Sequence, residues 1–360
     1  MAKPKRVLIM AGGTGGHVFP GLALARELKA NGIAVDWLGT AKGLEAKVIP
    51  EASIPLHFIS ISGVRGKGIK DILLAPIKII RAVWQSAQII RKLNPDIVIG
   101  MGGFVSGPGG IACKILGRKL IIHEQNAKPG TTNKWLAKWA RKVLEGFPNT
   151  FANRNNVETV GNPVRPEIIS ISNPSVRLQG RTQPLRLLVL GGSLGAQAIN
   201  QMVPEMLAAL PAANRPEVFH QTGEKHLLDT QNTYKRLQIE AKVVPFVKEM
   251  DKIYSWADMV ICRAGALTIS ELCAAGLGAI LIPYPHAIDD HQTANADFMV
   301  REGAAILVQQ KDLTVKKLGE LIQPFLMNVS QCKKMAEAAF SLRKINATEK
   351  VLTICEEICS

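Results

Sequence analysis

Two segments of this chain carry the same pattern, and that repetition constrains the fold more than any other feature. Lys5 to Met10 (KRVLIM) is a short aliphatic run that passes through AGGTGGH into FPGLALARELKANG, where helical apolar spacing ends on Asn31-Gly32. Leu185 to Leu190 (LRLLVL) passes in the same way through GGSLGAQ into INQMVPEMLAAL. Setting Arg6 against Arg186, an offset of 180 residues, brings the apolar strand positions and the glycines into register. Further buried-strand candidates are AVDWLG, DIVIGMGG, KLIIHEQ and VETVGN in the first half, and EVFHQTG, KVVPFV, DMVICRAG and GAILIPYP in the second, with helix-like segments between them. Such alternation predicts an α/β chain of two Rossmann-like, doubly wound parallel-sheet domains facing a cleft. We expect a first domain over 1–163, a Pro-, Ser- and Asn-rich linker over 164–184 and a second domain over 185–340. The tail, 341–360, reads as a helix able to pack back on the first domain.

A glycine turn after a buried strand lets main-chain N–H groups approach a phosphate with no Cβ in the way, and the helix that follows adds its positive end. Thr14, Gly15 and Gly16 lie in the first turn and Ser193 in the second. Neither turn has the G-x-G-x-x-G of dinucleotide enzymes or the terminal G-K-[ST] of a P-loop, which demotes a dehydrogenase or an ATPase. One such turn alone could equally be a structural tight turn. A third cluster, GMGGFVSGPGG, follows the strand DIVI at the same sheet edge; Gly102, Gly103 and Ser106 there are candidates for cradling a second diphosphate, the alternative being a flexible loop.

His17 directly follows the first turn, where its imidazole can serve as a proton acceptor near neutral pH. His123-Glu124-Gln125-Asn126 ends another strand at that edge, and Glu124 is the competing base. In the second half, CRAGALTISE runs from a strand into a helix and places Glu271 where a carboxylate can accept from both hydroxyls of a ribose; an ordinary solvated acid is the alternative. Asp289, Asp290, His291 and Gln292 follow GAILIPYP and could read sugar hydroxyls; neighbours in sequence rarely converge on one ion, so no protein-bound metal is expected.

Charge is unevenly shared. From Met1 to Pro163 there are 23 Lys and Arg against 9 Asp and Glu, whereas the remainder has 21 against 20. A basic first half attracts something anionic: nucleic acid, acidic lipid or a phosphorylated substrate. Nucleic acid is disfavoured because the bases follow no recognition-helix pattern. The segment KGIKDILLAPIKIIRAVWQSAQIIRK instead sets Leu73, Ile77, Ile80 and Trp84 at helical spacing beside Lys70, Lys78 and Arg81. That is an interfacial amphipathic pattern, with a helix buried on the sheet as the alternative. KWLAKWARK, with Trp135 and Trp139, is a second basic and aromatic candidate patch. No apolar window reaches the roughly 18 residues of a spanning helix. Six cysteines without a CxxC pair, and no secretory leader, fit a reduced cytoplasmic protein.

Taken together, AGGTGGHVFPGLALA, WLGT, ISGVRGKGIK, GMGGFVSGPGG, HEQN, NKWLAK, VGNPVR, LGGSLGAQ, CRAGALTISE and HQTANA strongly resemble the MurG family of bacterial cell-wall transferases, over nearly the whole chain. The resemblance implies a GT-B architecture, a lipid-linked acceptor on the first domain and UDP-N-acetylglucosamine mostly on the second. It implies that Thr14, Gly15, Gly16 and Asn126 meet the sugar and diphosphate side of the donor, with Arg165 and Ser193 at the phosphates. Val247 would flank uracil, where the family often has isoleucine. Ala266, Leu267, Thr268, Ile269, Ser270 and Glu271 would hold the nucleoside, and Gln292 the sugar. The family commonly shows Gln-Gln where this chain has His291-Gln292.

The implied reaction is an inverting displacement at the anomeric carbon by a muramyl C4 hydroxyl deprotonated by His17, without a cofactor, at the cytoplasmic face of an anionic inner membrane. The second turn's N–H groups and helix end would take the place of a divalent ion at the leaving diphosphate. A UDP-N-acetylglucosamine epimerase shares the two-domain logic but needs no lipid-facing patch, and a non-catalytic lipid-sugar carrier would keep the patch without turnover.

Overall fold

The computed structural model describes residues 4–62, 74–151, 154–192 and 195–360. The chain divides into two compact units, the first holding 1–163 and 346–360 and the second 164–345.

In the first unit β1 (Arg6–Met10), α1 (Gly15–Ala30), β2 (Ala34–Gly39), α2 (Glu45–Glu51), β3 (Leu56–Phe58), α3 (Ala75–Leu93), β4 (Ile97–Gly100), α4 (Gly103–Ile115), β5 (Leu120–Glu124), α5 (Thr131–Leu136), β6 (Lys142–Glu145) and β7 (Val157–Thr159) follow in turn. Its strands form one parallel sheet in the order β3-β2-β1-β4-β5-β6-β7. Val7 and Ile9 enter the core on one face, with Leu24 and Leu28 of α1; Leu8 and Met10 enter the other, with Ala82 and Ile90 of α3 and Ala112 of α4. Side chains alternate along a strand, so cover on both faces makes β1 read as an unbroken apolar run.

In the second unit come α6 (Pro166–Ile169), α7 (Pro174–Arg177), β8 (Arg186–Leu190), α8 (Gln197–Ala209), β9 (Glu217–Gln221), α9 (Leu227–Arg236), β10 (Lys242–Val244), α10 (Met250–Trp256), β11 (Met259–Cys262), α11 (Ala266–Ala275), β12 (Gly278–Leu281), α12 (His291–Val300), β13 (Ala305–Leu307), α13 (Val315–Met327) and α14 (Ser330–Ser341). Its sheet is also parallel, in the order β10-β9-β8-β11-β12-β13. Both sheets therefore reverse direction beside their first strand, between β1 and β4 and between β8 and β11, and each glycine turn sits at such a switch point, where α/β sheets bind ligands.

Two boundaries differ from expectation. Residues 164–184 are built into the second unit: Arg177 donates to the carbonyls of Ala257 and Gly276 at 2.8 and 2.6 Å, and Arg181 pairs with buried Asp258 at 2.7 Å. Composition that suits a linker also suits short capped helices, and here two arginines tie them down. At the tail, 341–345 stay with the second unit, and α15 (Ala347–Cys359) lays Val351, Ile354 and Cys355 against the α1 side of the first core. Burial pushes the thiols of Cys113, Cys262, Cys273, Cys332 and Cys355 up to about 12, so these cysteines are packing residues.

Candidate active site

In the first unit the site forms where β1, β4 and β5 end. Thr14 begins α1 in an extended conformation, and neither its side chain nor any acid in the first turn caps that helix. Thr14 and Gly16 are exposed there, so the helix's positive end faces outward. His17, in the first turn of α1, lies against the third glycine cluster: a Cβ on Gly102 would come within 3.1 Å of its ring. Gly102 and Gly103 both have left-handed φ, +94° and +74°, a second reason for glycine beside the close approach. The ring is held by Gln125, whose Oε1 lies 2.9 Å from His17 Nδ1.

Three carboxylates at this sheet edge face inward. Glu45, fully buried at the start of α2, accepts from Gly13 N at 3.1 Å, Thr40 N at 2.9 Å and Thr40 Oγ1 at 2.8 Å. It thereby pins the first glycine turn, and Gly43 is glycine because a Cβ there would fall 2.1 Å from the Glu45 carboxylate. Glu145 accepts from Asn149 N, Phe151 N and Thr159 Oγ1. Glu124 takes four donors: Asn126 N and Nδ2 on one oxygen, at 3.0 and 3.1 Å, and Gly130 N and Asn133 Nδ2 on the other, at 3.0 and 2.9 Å. A buried carboxylate so engaged orders the loop around it, and its four donors argue against the alternative that it is the base. Asn126 is one of the groups it orders.

Ser106 is corrected. Its side chain is buried, its Oγ accepts from Gly102 N at 3.1 Å, and it lies 2.9 and 2.7 Å from the carbonyls of Met10 and Gly102, to which it can donate. The hydroxyl closes the α4 turn and is spent inside the protein, so it cannot meet a diphosphate.

In the second unit the sequence-derived donor residues gather around α11. Ala266, Leu267 and Thr268 form its first turn, Ser270 Oγ donates to Ala266 O at 3.0 Å, and Ile269 is fully buried in the core, so its side chain cannot meet a nucleoside. Glu271 is not idle: Arg165 donates to its Oε1 through Nε and Nη2, at 3.2 and 2.9 Å, and the Tyr254 hydroxyl donates to its Oε2 at 3.1 Å. Burial raises the Glu271 carboxyl above the usual carboxylate range, with Arg165 and Tyr254 working against that shift. Arg165, expected at phosphates, is here the counter-ion of the carboxylate expected at a ribose. Gln292 in α12 accepts from Tyr284 N at 2.9 Å, and Val247 is half-buried just after β10. Gln221 bridges the second glycine turn, accepting from Gly192 N at 3.1 Å and donating to Gly192 O at 3.1 Å. Ser193 lies outside the described residues.

Residues 7–145 match the glycosyltransferase family 28 N-terminal domain, and residues 186–351 match the family 28 C-terminal domain. The chain belongs to glycosyltransferase family 28. Within family 28 it is 52% identical over 353 residues to the UDP-N-acetylglucosamine-N-acetylmuramyl-(pentapeptide) pyrophosphoryl-undecaprenol N-acetylglucosamine transferase of Marinobacter nauticus, covering 98% of this chain and 97% of that one. The transferase of the same name from Azotobacter vinelandii is 52% identical over 352 residues, 98% of both chains. The crystal structure of Acinetobacter baumannii MurG superposes with a TM-score of 0.85 at 40% identity, covering 98% of this chain and all of that one.

Outside the glycine turns, this family 28 chain presents the amphipathic helix anticipated from its sequence. α3 buries Ala75, Ala82, Ser86 and Ile90, while Ile77, Ile80 and Trp84 are 65%, 69% and 60% exposed and Lys78 and Arg81 are exposed among them. The fully buried positions are small apart from Ile90, and the larger apolar side chains of the first half of the helix point out. Lys70 and Leu73 lie outside the described residues. Trp135 is half-exposed and packs edge-on against Trp139, with Lys114 over the Trp139 ring. The residues that sequence reasoning missed are Glu45, Gln221 and Tyr254; each stands among other polar residues of its helix or strand, and nothing in the local pattern singles it out.

Proposed function

We propose that this chain is an inverting glycosyltransferase that moves N-acetylglucosamine from UDP-N-acetylglucosamine to the C4 hydroxyl of undecaprenyl-diphospho-N-acetylmuramoyl-pentapeptide in peptidoglycan synthesis. The observation that carries this reading is the 52% identity, over almost the full length of both chains, to relatives bearing the name of that activity. In the reaction the C4 oxygen forms a bond to the anomeric carbon on the face opposite the diphosphate. Its proton goes to His17, the bond from the anomeric carbon to the diphosphate oxygen breaks, and UDP leaves. Thr14, Gly15 and Gly16 offer N–H groups and a helix end to developing negative charge, Gly102 and Gly103 line the acceptor diphosphate, and Arg165 and the Ser193 turn meet the donor's phosphates. Glu271 receives the ribose hydroxyls, the first turn of α11 and Val247 flank the nucleoside, and Gln292 reads the sugar.

Incubation with labelled UDP-N-acetylglucosamine, with and without the lipid acceptor, tests the reading. A lipid-linked disaccharide formed only with acceptor is the expected product. An isomerised nucleotide sugar would identify an epimerase, and no conversion at all a carrier.

The membrane role belongs to the same proposal. The apolar row of α3, edged by Lys78 and Arg81 on a basic unit, suits peripheral attachment to an anionic inner-membrane face on the cytoplasmic side. Among the described residues no helix is long and apolar enough to cross a membrane. Sedimentation with vesicles containing anionic lipid should fall when salt is raised and fall further in a Lys78→Ala/Arg81→Ala/Trp84→Ala variant. Binding indifferent to both changes would remove α3 from the contact.

A further inference from the structure

A chain of hydrogen bonds behind His17 bears on which of its ring nitrogens is bare. It begins at Gly161, whose carbonyl can only accept; it lies 2.9 Å from His123 Nε2, so that nitrogen carries a hydrogen. His123 is fully buried, and burial lowers its pKa, so the ring is neutral and its Nδ1 has a lone pair. Gln125 Nε2 lies 3.0 Å from that Nδ1 and 3.1 Å from the His123 carbonyl. Both are acceptors, so two independent contacts fix the amide with its nitrogen toward His123. The other end, Oε1, therefore faces His17 Nδ1 at 2.9 Å, and an amide oxygen can only accept.

Taking His17 as the base, as proposed above, we infer that Gln125, oriented by His123, is a positioning residue that holds His17 as the Nδ1–H tautomer and leaves Nε2 bare to take the acceptor's proton. The proton of the attacking hydroxyl moves to Nε2, while the Nδ1 hydrogen stays on the ring and remains donated to Gln125. The device resembles a carboxylate behind a catalytic histidine, with a neutral amide in its place. A neutral partner orients the ring without adding a charge to stabilise the imidazolium.

Other titratable groups around the ring are tied elsewhere. On β5, Glu124 is held by Asn126, Gly130 and Asn133; at the start of α2, Glu45 is held by Gly13 and Thr40. On α1 itself the next ionisable residues are Arg26 and Glu27, two turns or more along. On α4 they are Cys113 and Lys114, at the far end of the helix; Lys128 lies in the loop after β5, and Lys134 on α5.

Gln125→Glu and Gln125→Leu test this in the full chain. Nitrogen NMR of histidine-labelled protein should show neutral wild-type His17 protonated at Nδ1, and Gln125→Leu should give a mixture of tautomers. In Gln125→Glu the His17 titration should move upward, because a carboxylate now favours the imidazolium, and the acidic limb of the kcat/KM profile should follow by about one pH unit. Gln125→Leu should lower kcat about tenfold or more with the Kd for UDP within about twofold of wild type, as expected for loss of one oriented hydrogen bond in the transition state. A neutral wild-type His17 protonated at Nε2, or a Gln125→Glu titration unchanged from wild type, overturns the inference. Should the tautomer be as described but the rate ignore the His17 titration, the inferred role of Gln125 in catalysis falls and so does His17 as the base. Absence of transfer by the wild-type chain would defeat the functional reading while leaving the NMR result to decide the tautomer.

Discussion

Replacing His17 by alanine is expected to lower kcat by about 10²- to 10⁴-fold, the usual contribution of a positioned general base, while leaving UDP affinity within about twofold. The separation follows from where the parts sit. His17 belongs to α1 of the first unit, whereas Glu271, Val247 and Gln292 belong to the second. Equilibrium binding of UDP by calorimetry, set beside steady-state turnover, distinguishes the two effects. A His17→Ala enzyme with near-normal turnover would end its assignment as the base.

The second large effect expected is on stability. Glu124→Ala should destabilise the first unit by about 3 kcal/mol or more, because two main-chain N–H groups and two side-chain amides lose a buried acceptor together. Glu124→Gln should fall between wild type and alanine, since one end of an amide still accepts while the other confronts donors. Denaturant unfolding followed by a probe within the first unit is the measurement, because two units need not melt as one transition. A base would behave in the opposite way. If Glu124→Gln kept full stability and lost turnover by orders of magnitude, the carboxylate would have a chemical role that its four hydrogen bonds argue against.

The architecture was legible because its signal is periodic. Runs such as RVLIM and RLLVL are apolar on both faces, and only a covered parallel strand makes full use of that. The strands that escaped notice, β3 (LHF), β6 (KVLE) and β13 (AIL), have three or four residues, too few to establish a period by themselves; β7 and β10, equally short, were legible only through the residues that follow them. The candidate site was legible in its motifs but not in its orientations. Ser106 and Glu124 stand in the expected loops and turn inward, and no pattern of residue types tells the inward side of a turn from the outward one. Glu45 is 32 residues from Gly13, and Arg165 is 106 from Glu271; pairings over such spans leave no local trace in the chain. Gln125 lies within HEQN, yet its task emerges only when the hydrogens of His123 are followed.

If Glu271 receives a ribose as proposed, its pairing with Arg165 makes occupancy of that site an exchange. A ribose that takes the carboxylate's lone pairs competes with a guanidinium already holding one oxygen through two bonds, and a displaced guanidinium, partly exposed, is free to turn to another anion. A nucleoside diphosphate brings that anion with it; uridine alone does not. Selectivity for the phosphorylated ligand would then exceed what direct phosphate contacts supply, because one end of the ligand compensates for what the other end displaces.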